Sequence, residues 1–450
     1  MRIKLGIPMK LSQIAYACSG QKNNLNNPLI SYISTDTREL FCGDLFIAIN
    51  GERFNGNDFV NEAKSKGAFV ISSLPISDII HADGRSALLS LARFYNKTLP
   101  IILYRIGITG SVGKTTTKEF LKILIEGSYK IQASKGNFNN EIGLPMSILT
   151  TENDCEILLM EMGMNHPGEI SRMSKCLCPN LALITCIGSA HIGNLGSRES
   201  IAKAKLEILD GMTDGVIILP DDEPLLNNIS GAKYFSTTDC SKDYALINEK
   251  NGHVKLYRNN TFYTDASFTL PEAHHIKCLS AAVSIAMKIG ISAEMIYERI
   301  PLISNDNIRQ KEFYREDYHF IADFYNASRE SVIALIESCR QMIFQNKKHL
   351  LLGDILELGA MSHDIHYEIG KSISADIFDS LILFGEEVMY VMSGAIDTGF
   401  PIDKIFIISD LSQPEECANV IRKVCQSGDH IFMKASRNIK LERVLECFKE

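Results

Sequence analysis

The stretch that most constrains this chain is residues 101–125. An apolar, β-branched run over 101–109 reads as a buried strand. Gly110-Ser111-Val112-Gly113-Lys114-Thr115-Thr116 follows, and then an amphipathic helical pattern over 117–125. Strand, glycine loop, Lys-Thr and helix form the layout of a phosphate cradle. Glycines let the main chain turn tightly and aim several N–H groups at one anion, and the helix N-terminus adds the positive end of its dipole. Lys114 would reach the outer phosphates, and the hydroxyl of Thr115 or Thr116 would ligate Mg²⁺. The loop departs from the standard spacing, which has glycine where Ile108 stands. The strand before it and the helix after it favour phosphate binding over an ordinary turn.

Further apolar runs at 157–160, 181–187 and 216–219 alternate with helical patterns, which predicts a doubly wound parallel sheet. Leu99-Pro100 marks a boundary before it. The chain ahead of that boundary carries a short strand at 45–49 and helices at 61–66 and 86–95. From about residue 305 the alternation resumes, with strands at 319–322, 349–352, 381–384, 405–408 and 430–433 and a helix at 330–343. The reading is α/β throughout, in three domains: 1–98, 99–304 and 305–450. A length of 450 residues suits that number.

A net charge of −8 with no basic tail makes nucleic acid an unexpected partner. The twelve cysteines lie mostly in apolar contexts, and Cys176 and Cys178 are too close for a CxxC pair, so they read as reduced packing residues of a cytoplasmic protein. Ala15-Tyr16-Ala17-Cys18 faintly resembles a lipoprotein cleavage box. The residues before it are not continuously apolar and read as an amphipathic helix with Leu11, Ile14, Ala15 and Cys18 on one side. No stretch is long and apolar enough for membrane insertion.

Three more residues fall where a parallel sheet presents its ligands. Glu161 ends the run 157–160, and His191 sits just past the run 181–187. Over 200–212, a predicted helix, Ile201, Ala204, Lys205, Ile208 and Leu209 share one face. Lys205 is thus a lysine amid apolar residues, where it either snorkels to water or has a task.

The phosphate-loop string resembles that of the Mur ligases. So do Gly136-Asn137-Phe138-Asn139-Asn140-Glu141, Glu161-Met162-Gly163-Met164-Asn165-His166-Pro167-Gly168-Glu169, Gly188-Ser189-Ala190-His191 and Ala202-Lys203-Ala204-Lys205. Asp36-Thr37-Arg38 and Gly51-Glu52-Arg53-Phe54 resemble the family's N-terminal domain. Tyr325-Asn326-Ala327, Leu352-Gly353-Asp354-Ile355-Leu356-Glu357 and Lys434-Ala435-Ser436-Arg437 resemble its C-terminal one. The resemblance implies a UDP-binding α/β domain, a central P-loop ATPase domain and a Rossmann-like C-terminal domain. The Asn-His-Pro-Gly-Glu string points to the branch that joins D-alanyl-D-alanine to UDP-muramoyl tripeptide in peptidoglycan precursor synthesis, through an acyl phosphate made from ATP.

By that resemblance Lys205 is carbamylated and, with Glu161 and His191, holds one of two Mg²⁺ ions, while Thr115 and Glu161 hold the other. Lys114 is catalytic. His274, Arg309, Asp323 and Asn326 join the loop in binding ATP. Thr37, Arg38, Arg53, Asn137, Asn139, Asn140, Asn165 and His166 bind the substrates, and the chain is a monomer. It departs from the family pattern where His275 and Cys278 replace asparagines near adenine, where Ile308 precedes Arg309 in place of glycine, at Ser328-Arg329, and at Ala435. These departures keep two other readings open: a relative acting on other carboxylates and amines, and an ATP-binding scaffold without catalysis.

Overall fold

The computed structural model describes residues 1–51, 54–249, 252–270, 272–304, 311–324, 326–342 and 344–449. Arg53, Ile308, Arg309 and Tyr325 lie outside them.

Among the described residues three sheets follow one another along the chain. The first has six strands, in the order Arg2–Lys10, Leu29–Ser34, Leu45–Ile47, Phe69–Ser72, Ile79–Ile80 and Gln21–Lys22. Its inner pairs are parallel and its outer pairs antiparallel. The helix Leu11–Cys18 buries Leu11, Ile14, Ala15 and Cys18, the face its periodicity predicts. A second helix, Gly84–Thr98, starts on Asp83, whose carboxylate accepts from the Arg85 and Ser86 amides. This helix seals the first sheet against the central one. Tyr95 Oη donates to Thr151 O at 2.6 Å, and Asn96 Nδ2 donates to Leu177 O at 2.7 Å.

The central sheet has nine strands, and its middle decides where a ligand can sit. Tyr104–Thr109 lies between Leu181–Ile184 and Ile157–Glu161, all parallel. From Tyr104–Thr109 the chain first builds one flank, Ile157–Glu161 and Ile131–Ala133. It then returns to build the other, Leu181–Ile184, Val216–Pro220 and Lys233–Ser236. The order reverses beside Tyr104–Thr109, which opens a crevice at the carboxyl ends of the strands. Tyr244–Glu249 continues the sheet in parallel, and His253–Arg258 and Thr261–Ser267 then add antiparallel pairs. That wing adds an antiparallel edge to the doubly wound parallel sheet that the sequence predicts. Its last strand keeps one face in solvent, so it lacks the apolar run that marks a doubly buried strand.

The C-terminal sheet has six strands: Lys311–Arg315, Tyr318–Asp323, His430–Lys434, Lys348–Gly353, Ser380–Phe384 and Ile405–Ile408. All neighbours run parallel except the first hairpin.

Candidate active site

The loop after Tyr104–Thr109 turns into the helix Lys114–Ile125. Gly113 has φ 88°, the left-handed region that glycine enters freely. A Cβ on Gly110 would stand 1.9 Å from Thr185 Oγ1, so the loop lies flat on the end of the neighbouring strand. Thr185 Oγ1 donates to Val112 O, and Gly188 N donates to Ser111 Oγ at 2.8 Å. Lys114 Nζ donates to Gly110 O at 2.5 Å.

Register places Ile108 opposite Glu161 and Thr109 opposite Ile184, so three strand ends share one rim. The Glu161 side chain is fully buried, accepting from Thr115 Oγ1 at 2.9 Å on Oε2. Its other oxygen lies 3.0 Å from Lys118 Nζ, an ammonium only 1% exposed, without a well-aligned hydrogen bond. Lys118 also donates to Ser134 O at 2.7 Å. Sequence reasoning missed Lys118. The signal was available, because it sits one helical turn beyond Lys114 on the buried face of an amphipathic helix, as Lys205 does on its own helix.

Lys205 is buried on the helix Arg198–Leu206, which hands over to a 3-10 turn, Glu207–Gly211, inside the expected 200–212 helix. Burial, and then the Lys114 ammonium, lower its pKa to about 7. His191 has φ 63°, and its Nδ1 lies 2.5 Å from Glu357 Oε2. Glu161, Lys205 and His191 thus surround the phosphate loop, but no hydrogen bond or ion pair joins them among the described residues. There too, no three His, Cys, Asp or Glu side chains gather in a metal-holding group. A cation here would need ligands beyond this set. The Thr115 hydroxyl and the Glu161 carboxylate are hard oxygen donors suited to Mg²⁺.

Two cavities meet at the loop. One, of about 400 Å³, is lined by Gly113, Thr115, Thr116, His274, His275, Cys278, Asp323 and Lys434 among others. Burial, then the neighbouring His275, lowers the pKa of His274 to about 3 and keeps the ring neutral. His275 Nδ1 lies 2.9 Å from Glu272 Oε2, and Cys278 Sγ lies 3.8 Å from Gly113 O. Lys434 bonds Asp323 at 2.6 Å and Asn326 O at 3.1 Å, which brings two expected residues to this edge.

The second cavity, of about 360 Å³, is lined by Ser111, Lys114, Asn139, Asn140, Asn165, His191, Asn326 and Arg85 among others. Asn140 Oδ1 accepts from the Ile142 and Gly143 amides, so part of that side chain is spent on its own loop. Arg85 bonds Glu141, which also binds Arg172; sequence reasoning gave none of the three a role. Asn137, His166, Thr37 and Arg38 line neither cavity. Thr37 is buried with its carbonyl on Lys66, and Arg38 is exposed beside Asp36.

Residues 108–286 match the Mur ligase middle domain, and residues 309–437 match the Mur ligase, glutamate ligase domain. The chain is 35% identical to the UDP-N-acetylmuramoyl-tripeptide–D-alanyl-D-alanine ligase of Bacillus subtilis (strain 168), over 94% of this chain and 95% of that one. It is 28% identical to the Escherichia coli (strain K12) enzyme of the same name, over 99% of each. A crystal structure of MurF from Acinetobacter baumannii superposes with a TM-score of 0.86 at 26% identity, covering 99% of both chains. MurF from Thermotoga maritima in complex with ADP superposes at 0.78 with 27% identity, over 92% of this chain and 96% of that one.

Proposed function

The chain belongs to the Mur ligase family, and from that premise we propose that it is the ATP-dependent ligase that joins D-alanyl-D-alanine to UDP-N-acetylmuramoyl-tripeptide. The observation that carries the reading is the phosphate loop set between two cavities, one edged by His274 and Lys434, the other by Asn139, Asn165 and His191. ATP fills the first with its terminal phosphate over the loop, and the two peptides meet in the second. The tripeptide carboxylate takes the γ-phosphoryl group, ADP leaves, and the amine of D-alanyl-D-alanine displaces phosphate from the acyl phosphate.

A carboxylate is a poor electrophile, and two anions must approach each other before transfer. Lys114 supplies one positive charge at that point, and the loop amides supply partial ones. Thr115 and Glu161 are the residues that would hold Mg²⁺ on the nucleotide, and His191 with a carbamylated Lys205 would hold a second ion. When bound, the two ions neutralise the charge that accumulates between phosphate and carboxylate. Lys118 Nζ stands 3.0 Å from the Glu161 carboxylate and balances its charge. The depressed pKa of Lys205 leaves a neutral amine near physiological pH, the form that captures CO₂.

The N-terminal domain, with Thr37, Arg38 and Arg53, would take the UDP end of the substrate. Arg85, with Asn139, Asn140 and Asn165, would take the peptide end. Nucleotide-linked substrates and ATP place the reaction in the cytoplasm, with the protein acting as a monomer. The test is mass spectrometry of the product made from ATP, Mg²⁺, bicarbonate, UDP-muramoyl tripeptide and D-alanyl-D-alanine. A UDP-muramoyl pentapeptide is the expected product. Phosphate released at the same rate without either peptide would sink the reading.

A further inference from the structure

Loop 188–193 leaves the Leu181–Ile184 strand in the central domain, where Gly188 N is held by Ser111 Oγ, and beyond Gly188 it is also held by the C-terminal domain. Ser189 N donates to Glu330 Oε1 at 2.8 Å, and Ser189 Oγ donates to Glu330 Oε2 at 3.1 Å. Gly193 N donates to Glu357 O at 3.0 Å, and the Glu357 carboxylate lies 2.5 Å from His191 Nδ1. The backbones meet so closely that a Cβ on Gly193 would stand 2.6 Å from both Glu357 O and Gly359 N. On the two sides of the contact His191 has φ 63° and Glu357 φ 66°. Both lie in the left-handed region that residues other than glycine enter uncommonly, histidine more readily than glutamate, and the surrounding structure holds them there.

We propose that Glu357 and Glu330 are positioning residues for the ligase reaction: they hold the His191 loop in its working shape only when the central and C-terminal domains are docked. The proposal rests on the reading of the preceding section for its kinetic consequence. A carboxylate can only accept, so with Glu357 at Nδ1 a neutral His191 carries its proton there and keeps the Nε2 lone pair. His191 lines the same cavity as Lys114. Undocking frees the loop and leaves the ring's tautomer and direction unspecified. Domain docking and the set of the His191 ring are then one event.

Gly193→Ala tests this without altering a polar group, because the three atoms nearest the added methyl, in residues 357–359, all belong to the C-terminal domain. Hydrogen exchange across residues 188–195, read on the full-length protein, reports the Ser189 and Gly193 amides directly. It needs no turnover, so it stands if the ligase reading fails. Gly193→Ala is expected to speed that exchange by about tenfold or more. It should also lower kcat by about 10- to 100-fold while the KM for ATP moves by less than about threefold. Glu357→Ala should lower kcat to a similar degree, and Glu357→Gln, whose amide oxygen can still accept from Nδ1, should recover part of it. Unchanged exchange in Gly193→Ala overturns the proposal, as does a Glu357→Ala protein with full kcat.

Discussion

Glu161 and Lys118 form a pair that neither residue could afford alone. Both side chains are essentially out of solvent, at 0% and 1% exposure; Lys118 also lies 3.0 Å from Glu119 Oε1, but removing its ammonium leaves the buried Glu161 carboxylate without a cation. Lys118→Met is therefore expected to cost about 3 kcal/mol or more of stability in denaturant titration. The double variant Lys118→Met with Glu161→Gln should recover part of that loss without recovering turnover. Lys205 makes a second prediction. Its pKa of about 7 is lower in the folded chain than in the unfolded one, so the neutral amine is favoured above pH 7 and is lost as pH falls through that value. Activation by bicarbonate should weaken between pH 8 and pH 6, measured as initial rate against added bicarbonate. Lys205→Ala should lose turnover and regain some with a small carboxylate; full activity without one would remove the metal role assigned to it.

Among the elements, the departure at Ser328 acquires a local meaning. Ser328 caps the helix Arg329–Gln341: its Oγ accepts from Ser331 N at 3.3 Å, and Ser331 Oγ accepts from Ser328 N at 3.0 Å. That helix carries Glu330 to the His191 loop, so the cap sets the start of an element the site depends on. Ser328→Ala is expected to cost about 1 kcal/mol in thermal denaturation. The long apolar runs were legible as strands because both faces are covered, as at Leu181–Ile184 and Ser380–Phe384, where every residue is buried. The edges were not. The run predicted from residue 101 begins to pair at Tyr104, and Ile101 and Leu103 stay about half exposed. Thr261–Ser267 has one fully buried residue, Ala266, and its neighbours carry no alternation strong enough to identify it.

For the molecule as a whole, the reaction needs three ligands gathered between domains. Release of phosphate from ATP is therefore expected only when the tripeptide and the dipeptide are both present, measured by a coupled phosphate assay. The phosphate loop and the order of strands and helices in the central domain could be read from the chain, because each rests on spacing within strand–loop–helix units; Glu161 was singled out as a strand end and Lys205 as a lysine on an apolar helix face, and their metal roles rest on the resemblance alone. Residues 101–125 alone specify an anion site through local backbone geometry. The partners of those residues could not be read. Lys118 beside Glu161 is set by a helix packed on a neighbouring strand, and Glu357 beside His191 joins residues 166 apart across a domain boundary. Contacts of that kind carry no periodicity, because they depend on how finished domains pack. Local sequence determined that this protein can hold a phosphate; tertiary packing alone decided which charges stand around it and which domain must arrive to complete the site.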